Sequence, residues 1–206
     1  MTNKPIVYLL DDEPEMVKAL TRLLRAEGFQ VQGFCSAREF LAHARPPGPA
    51  CLVLDVAMPD VDGLAVQEHL RHANAELPIV FLTGHGDIPM SVRAIKAGAE
   101  NFLTKPVNAA NLLPAIRAAL QRAAEQQSGR EELTTLRQRL GCLTPREREV
   151  LGHVIAGKMN KQIAADLGTG EQNIKVHRGR LMRKLGLRSV AELVRLAERL
   201  GVPPVS

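Results

Sequence analysis

Ile6-Val7-Tyr8-Leu9-Leu10-Asp11-Asp12 and Leu52-Val53-Leu54-Asp55 each run an apolar stretch into one or two carboxylates. A stretch apolar at every position reads as a strand covered on both faces, as in a parallel sheet between helices. Val31–Phe34, interrupted by Gln32 and Gly33, and the apolar runs Ile79–Leu82 and Phe102–Leu103 add three more candidate strands. Helical patterns lie between them. Val17, Leu20, Leu23 and Leu24 form a stripe ended by Gly28, and Leu64, Val66 and Leu70 form another. Val92 and Ile95 are ended by Gly98, and Leu112, Leu113, Ile116 and Leu120 mark a last helix.

Five β-α repeats imply a flavodoxin-like, doubly wound five-stranded parallel sheet over residues 1–122. The remaining chain reads differently. Residues 123–141 are polar but keep Leu133, Leu136 and Leu140 at helical spacing. They are expected to be a partly helical linker, broken near Ser128-Gly129. Residues 142–206 hold helical patterns only. Thr144-Pro145-Arg146-Glu147 is a capping box with Pro at the first helical position. Gly157 stops that helix, and Asn160 is expected to cap a second, stopped by Gly168. A third runs from about Glu171 to Leu185, and Ser189 with Glu192 reads as a second capping box opening a fourth. A short helix, a tight turn and a basic helix make a helix-turn-helix.

Charge divides along the same line. Residues 1–125 carry 12 Lys/Arg and 14 Asp/Glu, a net −2, while residues 126–206 carry 15 and 8, a net +7. A basic half suggests a polyanionic partner, although a solvated surface would carry such charge too. Aromatic residues are only 3% of the 206, which argues against a site built on aromatic stacking. Cys35, Cys51 and Cys142 lie far apart without metal-ligand spacing, and Cys51 reads as core. With no leader pattern and no apolar run of roughly 18 residues, a cytoplasmic protein is expected.

Ligand sites in open α/β sheets form at the carboxyl ends of the strands. Here those ends carry Asp11-Asp12, Asp55, Thr83 and Thr104-Lys105-Pro106. Crowded carboxylates repel one another, and a hard divalent cation with oxygen ligands, Mg²⁺, relieves that repulsion. Lys105 adds a second positive charge. Such a pocket suits phosphoryl transfer, with Asp55 on the central strand as nucleophile. Any one of these residues alone would more often be a loop or capping residue; their joint placement carries the reading.

Residues 6–12, 52–63, 79–90 and 102–106 resemble a response-regulator receiver domain. Thr83-Gly84-His85-Gly86-Asp87-Ile88-Pro89 is similar to the FixJ branch. Residues 143–200 resemble the LuxR-type DNA-binding domain of FixJ/NarL two-component regulators. The resemblance implies that a sensor histidine kinase phosphorylates Asp55. It implies that Asp12, Asp55 and the Ala57 carbonyl bind Mg²⁺, with Asp11 acting through water. Thr83 and Lys105 would contact the phosphoryl group, and Phe102 would be the switch aromatic. The face of Ile88–Lys96, strand five and the next helix would pair two receivers on phosphorylation. Promoter DNA and RNA polymerase would be the output partners. On this reading the chain is a phosphoacceptor that assists its own phosphorylation and dephosphorylation, not a turnover enzyme. A haloacid-dehalogenase-type phosphatase is the rival class, but it needs an acid two residues after the nucleophile, where Ala57 stands.

At 100° per residue, Ile174, Leu181 and Leu185 share one face of the basic helix, flanked by His177 and Arg178. The opposite face carries Gln172, Val176, Gly179 and Arg183, flanked by Lys175 and Arg180. Lys175 can pair with guanine, Val176 can touch a thymine methyl, and Gln172 can read adenine. Arg180, Arg183 and Lys161 are placed for phosphates, and the family pattern puts Lys175, Val176 and Gly179 at the bases. His177 reads as a half-buried packing residue. Departures occur just before and within this helix: Thr169-Gly170 stand where the family has an apolar residue and Ser, and Asn173 stands where Thr is usual. These bear on the target sequence more than on DNA binding. A protein-interaction domain with a basic face is the alternative, and steep salt dependence would separate the two.

Overall fold

The computed structural model describes residues 4–59, 61–73, 75, 77–84 and 88–205, with residues 88–91 as backbone only. His85, Gly86 and Asp87, part of the FixJ-like stretch, and Asp60 lie outside the described residues. Two compact units emerge, Met1–Ser128 and Gly129–Ser206.

In the first unit β1 (Ile6–Leu10), α1 (Pro14–Ala26), β2 (Gln30–Phe34), α2 (Ala37–Ala42), β3 (Ala50–Asp55), α3 (Gly63–His72), β4 (Ile79–Thr83), α4 (Ile88–Lys96) and β5 (Asn101–Thr104) follow in order, and α5 starts at Ala109. The sheet is parallel, in the order β2-β1-β3-β4-β5. Because side chains alternate along a strand, each strand feeds two cores. Val7, Leu9, Val53 and Leu82 pack with Leu24 of α1 and Ile116 of α5. Tyr8, Leu10, Leu54 and Phe81 pack with Phe40 of α2 and Val66 of α3. Cys51 is fully buried, and burial pushes its thiol up to about 12.

The second unit holds the end of α5, then α6 (Pro145–Ile155), α7 (Asn160–Asp166), α8 (Glu171–Leu185) and α9 (Val190–Leu200). Its core joins Val150, Leu151, Ile163, Ile174, Leu181, Leu185 and Leu193, with Leu136 and Leu140 of α5 packed against it. Among the described residues no helix is long and apolar enough to cross a membrane.

Several local expectations are corrected. α5 is helical from Ala109 to Gly141 with no break at Ser128-Gly129. One glycine costs a helix only about 1 kcal/mol, and the flanking Gln, Glu and Arg are good helix formers. α2 has no counterpart among the apolar stripes. Its six residues are too few to show one, although Ser36, whose Oγ accepts the Glu39 N–H, was a legible cap. Asn160 does not cap α7 but is its first helical residue, and Gln162 Oε1 reaches back to the Met159 N–H at 2.8 Å. The box at α9 is only partly formed. Ser189 Oγ accepts from Glu192 N–H, while the Glu192 carboxylate accepts from Arg188 N–H at 2.8 Å. Val92 and Ile95, expected to form a helical stripe, are about half exposed, and among the described side chains of α4 it is Ala94 that is buried.

Candidate functional site

The carboxyl end of the sheet gathers the charged residues foreseen there. Asp11 follows β1 and Asp55 ends β3, the central strand, and both are almost fully buried. Asp12 is half-buried beside them. One carboxylate oxygen from each of the three lies within 4.8 Å of the others, a spacing that fits a shared cation.

Lys105, just past β5, reaches across the pocket. Its Nζ lies 2.7 Å from Asp11 Oδ2 and 2.8 Å from Asp55 Oδ2, with Glu13 Oε1 at 3.8 Å. Burial pushes this ammonium down. Its hydrogen bonds to Asp11 and Asp55, with their charges, outweigh that and hold it above its usual value. The second oxygens are directed by backbone: Asp11 Oδ1 accepts the Glu13 N–H at 2.9 Å, and Asp55 Oδ1 accepts the Ala57 N–H at 3.3 Å. Thr83 is buried at the end of β4, and its carbonyl accepts the Lys105 N–H at 2.6 Å. The Lys105-Pro106 peptide is cis. Phe102 is half-buried, its ring 6.1 Å from that of Phe81.

Two residues of the pocket went unremarked in the sequence. Glu13 lies at its rim. Gly63 seats the start of α3 against the nucleophile's own backbone: a Cβ there would stand 2.4 Å from the Asp55 carbonyl oxygen, and the Gly63 N–H donates to Val56 O at 2.9 Å. The signal was the Gly that follows Pro59-Asp60-Val61-Asp62, a turn-then-helix pattern whose close approach cannot be read from one dimension.

In the second unit the basic helix is α8. Ile174, Leu181 and Leu185 are fully buried, as the helical spacing requires. Gln172, Lys175, Val176, Gly179, Arg180 and Arg183 are all exposed, as is Lys161 of α7. A Cβ on Gly179 would meet nothing within 4 Å, so nothing inside the domain demands a glycine there. Two further basic residues of the helix, half-buried Arg178 and exposed Lys184, bond within the domain. Lys184 Nζ lies 2.7 Å from the buried Glu147 carboxylate and donates to Cys142 O, and Arg178 donates to Asn160 Oδ1 at 2.6 Å. The hydrogen bond from Lys184 holds the Glu147 carboxyl below its usual value of 4.5. His177 is half-buried, with Nδ1 enclosed and without a hydrogen-bond partner among the described residues.

A five-stranded parallel sheet with this pocket, followed by a helix-turn-helix with an exposed basic face, defines a response regulator with a DNA-binding output domain. The response regulator receiver domain model matches residues 7–117, and that for bacterial regulatory proteins of the luxR family matches residues 142–197. The chain belongs to the response-regulator family and carries a LuxR-type domain. It is 43% identical to nodulation protein W of Bradyrhizobium diazoefficiens over 98% of this chain and 88% of that one. With response regulator protein TodT of Pseudomonas putida the identity is 45%, over 95% and 86%. Transcriptional regulatory protein FixJ of Rhizobium meliloti is 37% identical over 96% and 97%. Among solved structures, the response regulator StyR is 48% identical with a TM-score of 0.85, covering 96% of this chain and all of that one. Full-length FixJ from B. japonicum is 36% identical with a TM-score of 0.58, over 98% of both chains. The receiver implies a sensor kinase as partner, and the LuxR-type domain implies DNA binding.

Proposed function

We propose that Asp55 is the phosphoacceptor and that its phosphorylation controls DNA binding through α8. One observation carries the assignment: Lys105 lies between Asp11 and Asp55 in a buried pocket where three carboxylates converge. A carboxylate oxygen of Asp55 attacks phosphorus as the bond to the donor breaks, leaving an aspartyl phosphate. Lys105 holds an oxygen of the transferred group, and the buried Thr83 hydroxyl offers a second contact.

The donor set fits Mg²⁺, which when bound neutralises phosphoryl oxygens. Asp12, Asp55 and the Ala57 carbonyl would hold it. Asp11 would act through a water; its oxygens accept from Lys105 and from Glu13 N–H, as those of Asp55 accept from Lys105 and Ala57 N–H.

The receiver is assigned residues 1–122, the linker 123–141 and the DNA-binding domain 142–206. Thr83 and Phe102 form the switch. Phosphorylation pairs two receivers through α4, β5 and the start of α5; the exposed Val92 and Ile95 support that face. Gln172, Lys175, Val176 and Gly179 read bases, and Arg180, Arg183 and Lys161 hold phosphates. Output passes to RNA polymerase in the cytoplasm. The receiver assists its own phosphorylation and dephosphorylation without turning over a separate substrate.

Acetyl phosphate with Mg²⁺ should add one acid- and base-labile phosphoryl group to the wild type and none, or only a trace, to Asp55→Asn. Equal labelling of the two would reject the assignment.

A further inference from the structure

α7 has seven residues, of which Ile163 and Ala164 are buried. Helices shorter than about 12–15 residues are marginal on their own, so the place of α7 depends on what grips it. Its neighbours grip both ends. Arg146 of α6 donates to the Leu167 carbonyl, just past the last turn, at 2.7 Å. Arg178 of α8 donates to Asn160 Oδ1, at the first residue, at 2.6 Å. Both partners of the second contact are half-buried. It is a hydrogen bond from an ionised donor, the stronger kind.

Arg178 belongs to the basic run of α8 but not to its exposed face. Lys175, Arg180 and Arg183 are exposed, whereas Arg178 lies on the flank beside buried Ile174 and Leu181 and is spent on Asn160. The residue after Asn160 is Lys161, exposed and placed for a phosphate. The Arg178–Asn160 contact therefore ties the phosphate-facing start of one helix to the base-facing helix.

We propose that Arg178 is a positioning residue for DNA reading, which acts through Asn160 to hold Lys161 and Lys175 in register across the groove. This rests on the DNA-binding reading of α8. Loss of the tie lets the short helix shift against α8. Non-specific attraction, which needs only the exposed charges, survives the shift; base reading, which needs the register, does not.

The test uses the phosphorylated full-length chain and two duplexes: a genomic fragment that the wild type retains in a DNA-capture selection, and a scrambled duplex of equal composition. Arg178→Ala and Asn160→Ala should each lower affinity for the selected fragment about tenfold, with scrambled affinity and salt slope unchanged. The double variant should lose no more than either single one. Asn160→Asp, whose carboxylate accepts the same guanidinium, should keep the ratio between the duplexes. If Arg178→Ala instead weakens both duplexes equally and lowers the salt slope by about one, Arg178 is a phosphate contact and the proposal is wrong. Additive losses, or an unchanged ratio in Asn160→Ala, overturn it as well. Should circular dichroism show Arg178→Ala unfolded, Arg178→Lys with Asn160→Ala runs the same cycle. A wild type that does not distinguish the duplexes overturns the DNA reading itself, before any variant is compared.

Discussion

Lys105 Nζ sits 2.8 Å from Asp55 Oδ2, so the proposed nucleophile meets its counter-ion before any phosphate arrives. The same ammonium is 2.7 Å from Asp11 Oδ2. In the proposed transfer Lys105 would exchange part of this contact for an oxygen of the phosphoryl group, whose negative charge it is placed to meet.

Removing that cation should separate two roles. Lys105→Ala should slow labelling by acetyl phosphate about 10²-fold, the scale of losing one preorganised donor. Mg²⁺ affinity, measured by calorimetry, should hold or rise, because a competing positive charge has left the carboxylates. A parallel fall in metal affinity would show that Lys105 builds the metal site and does not merely serve the phosphoryl group.

Glu147 gives the DNA-binding unit an acid-sensitive anchor. Its side chain is buried, bonded to Lys184, and caps α6 through the Thr144 N–H at 2.8 Å. The folded state holds this carboxyl below its usual value of 4.5. Its stabilisation is therefore fully present above about pH 4.5 and is lost as pH falls further, through the folded-state value. Glu147→Gln should lower stability at pH 7 by about 1–2 kcal/mol and flatten the pH dependence below 4.5. Denaturant unfolding of the full chain, followed at the helical signal from pH 3 to pH 7, checks this. An unflattened acid limb would assign the sensitivity elsewhere.

The exposed residues of α8 should divide by role. Lys175→Ala should cost about 1–3 kcal/mol on the selected site and relax preference at one base position. Arg183→Ala should weaken all duplexes alike and reduce the salt slope by about one. Titrations at several salt concentrations on selected and scrambled DNA separate the two. Reversed effects would mean that the helix docks in another register.

Much of this was legible in the chain. Strand ends bearing Asp11, Asp55, Thr83 and Lys105 must meet once a parallel sheet is inferred, and Ile174, Leu181 and Leu185 must be buried once α8 is a helix. What was not legible depends on contacts distant in sequence. The Gly63 approach to Asp55 is a three-dimensional packing event, and the Arg178–Asn160 tie spans two helices. The unbroken α5 shows a different limit: a single glycine among good helix formers is too weak a signal to mark a break.

The central claim is that phosphate on Asp55 changes DNA binding. Anisotropy of a labelled duplex carrying the selected site, titrated with full-length protein with and without acetyl phosphate and Mg²⁺, tests it most directly. Wild-type affinity should rise about tenfold with the donor, within the usual range of coupling between sites, and Asp55→Asn should stay at the unphosphorylated level. Equal affinity for phosphorylated and unphosphorylated wild type, or the same gain in Asp55→Asn, would contradict the account.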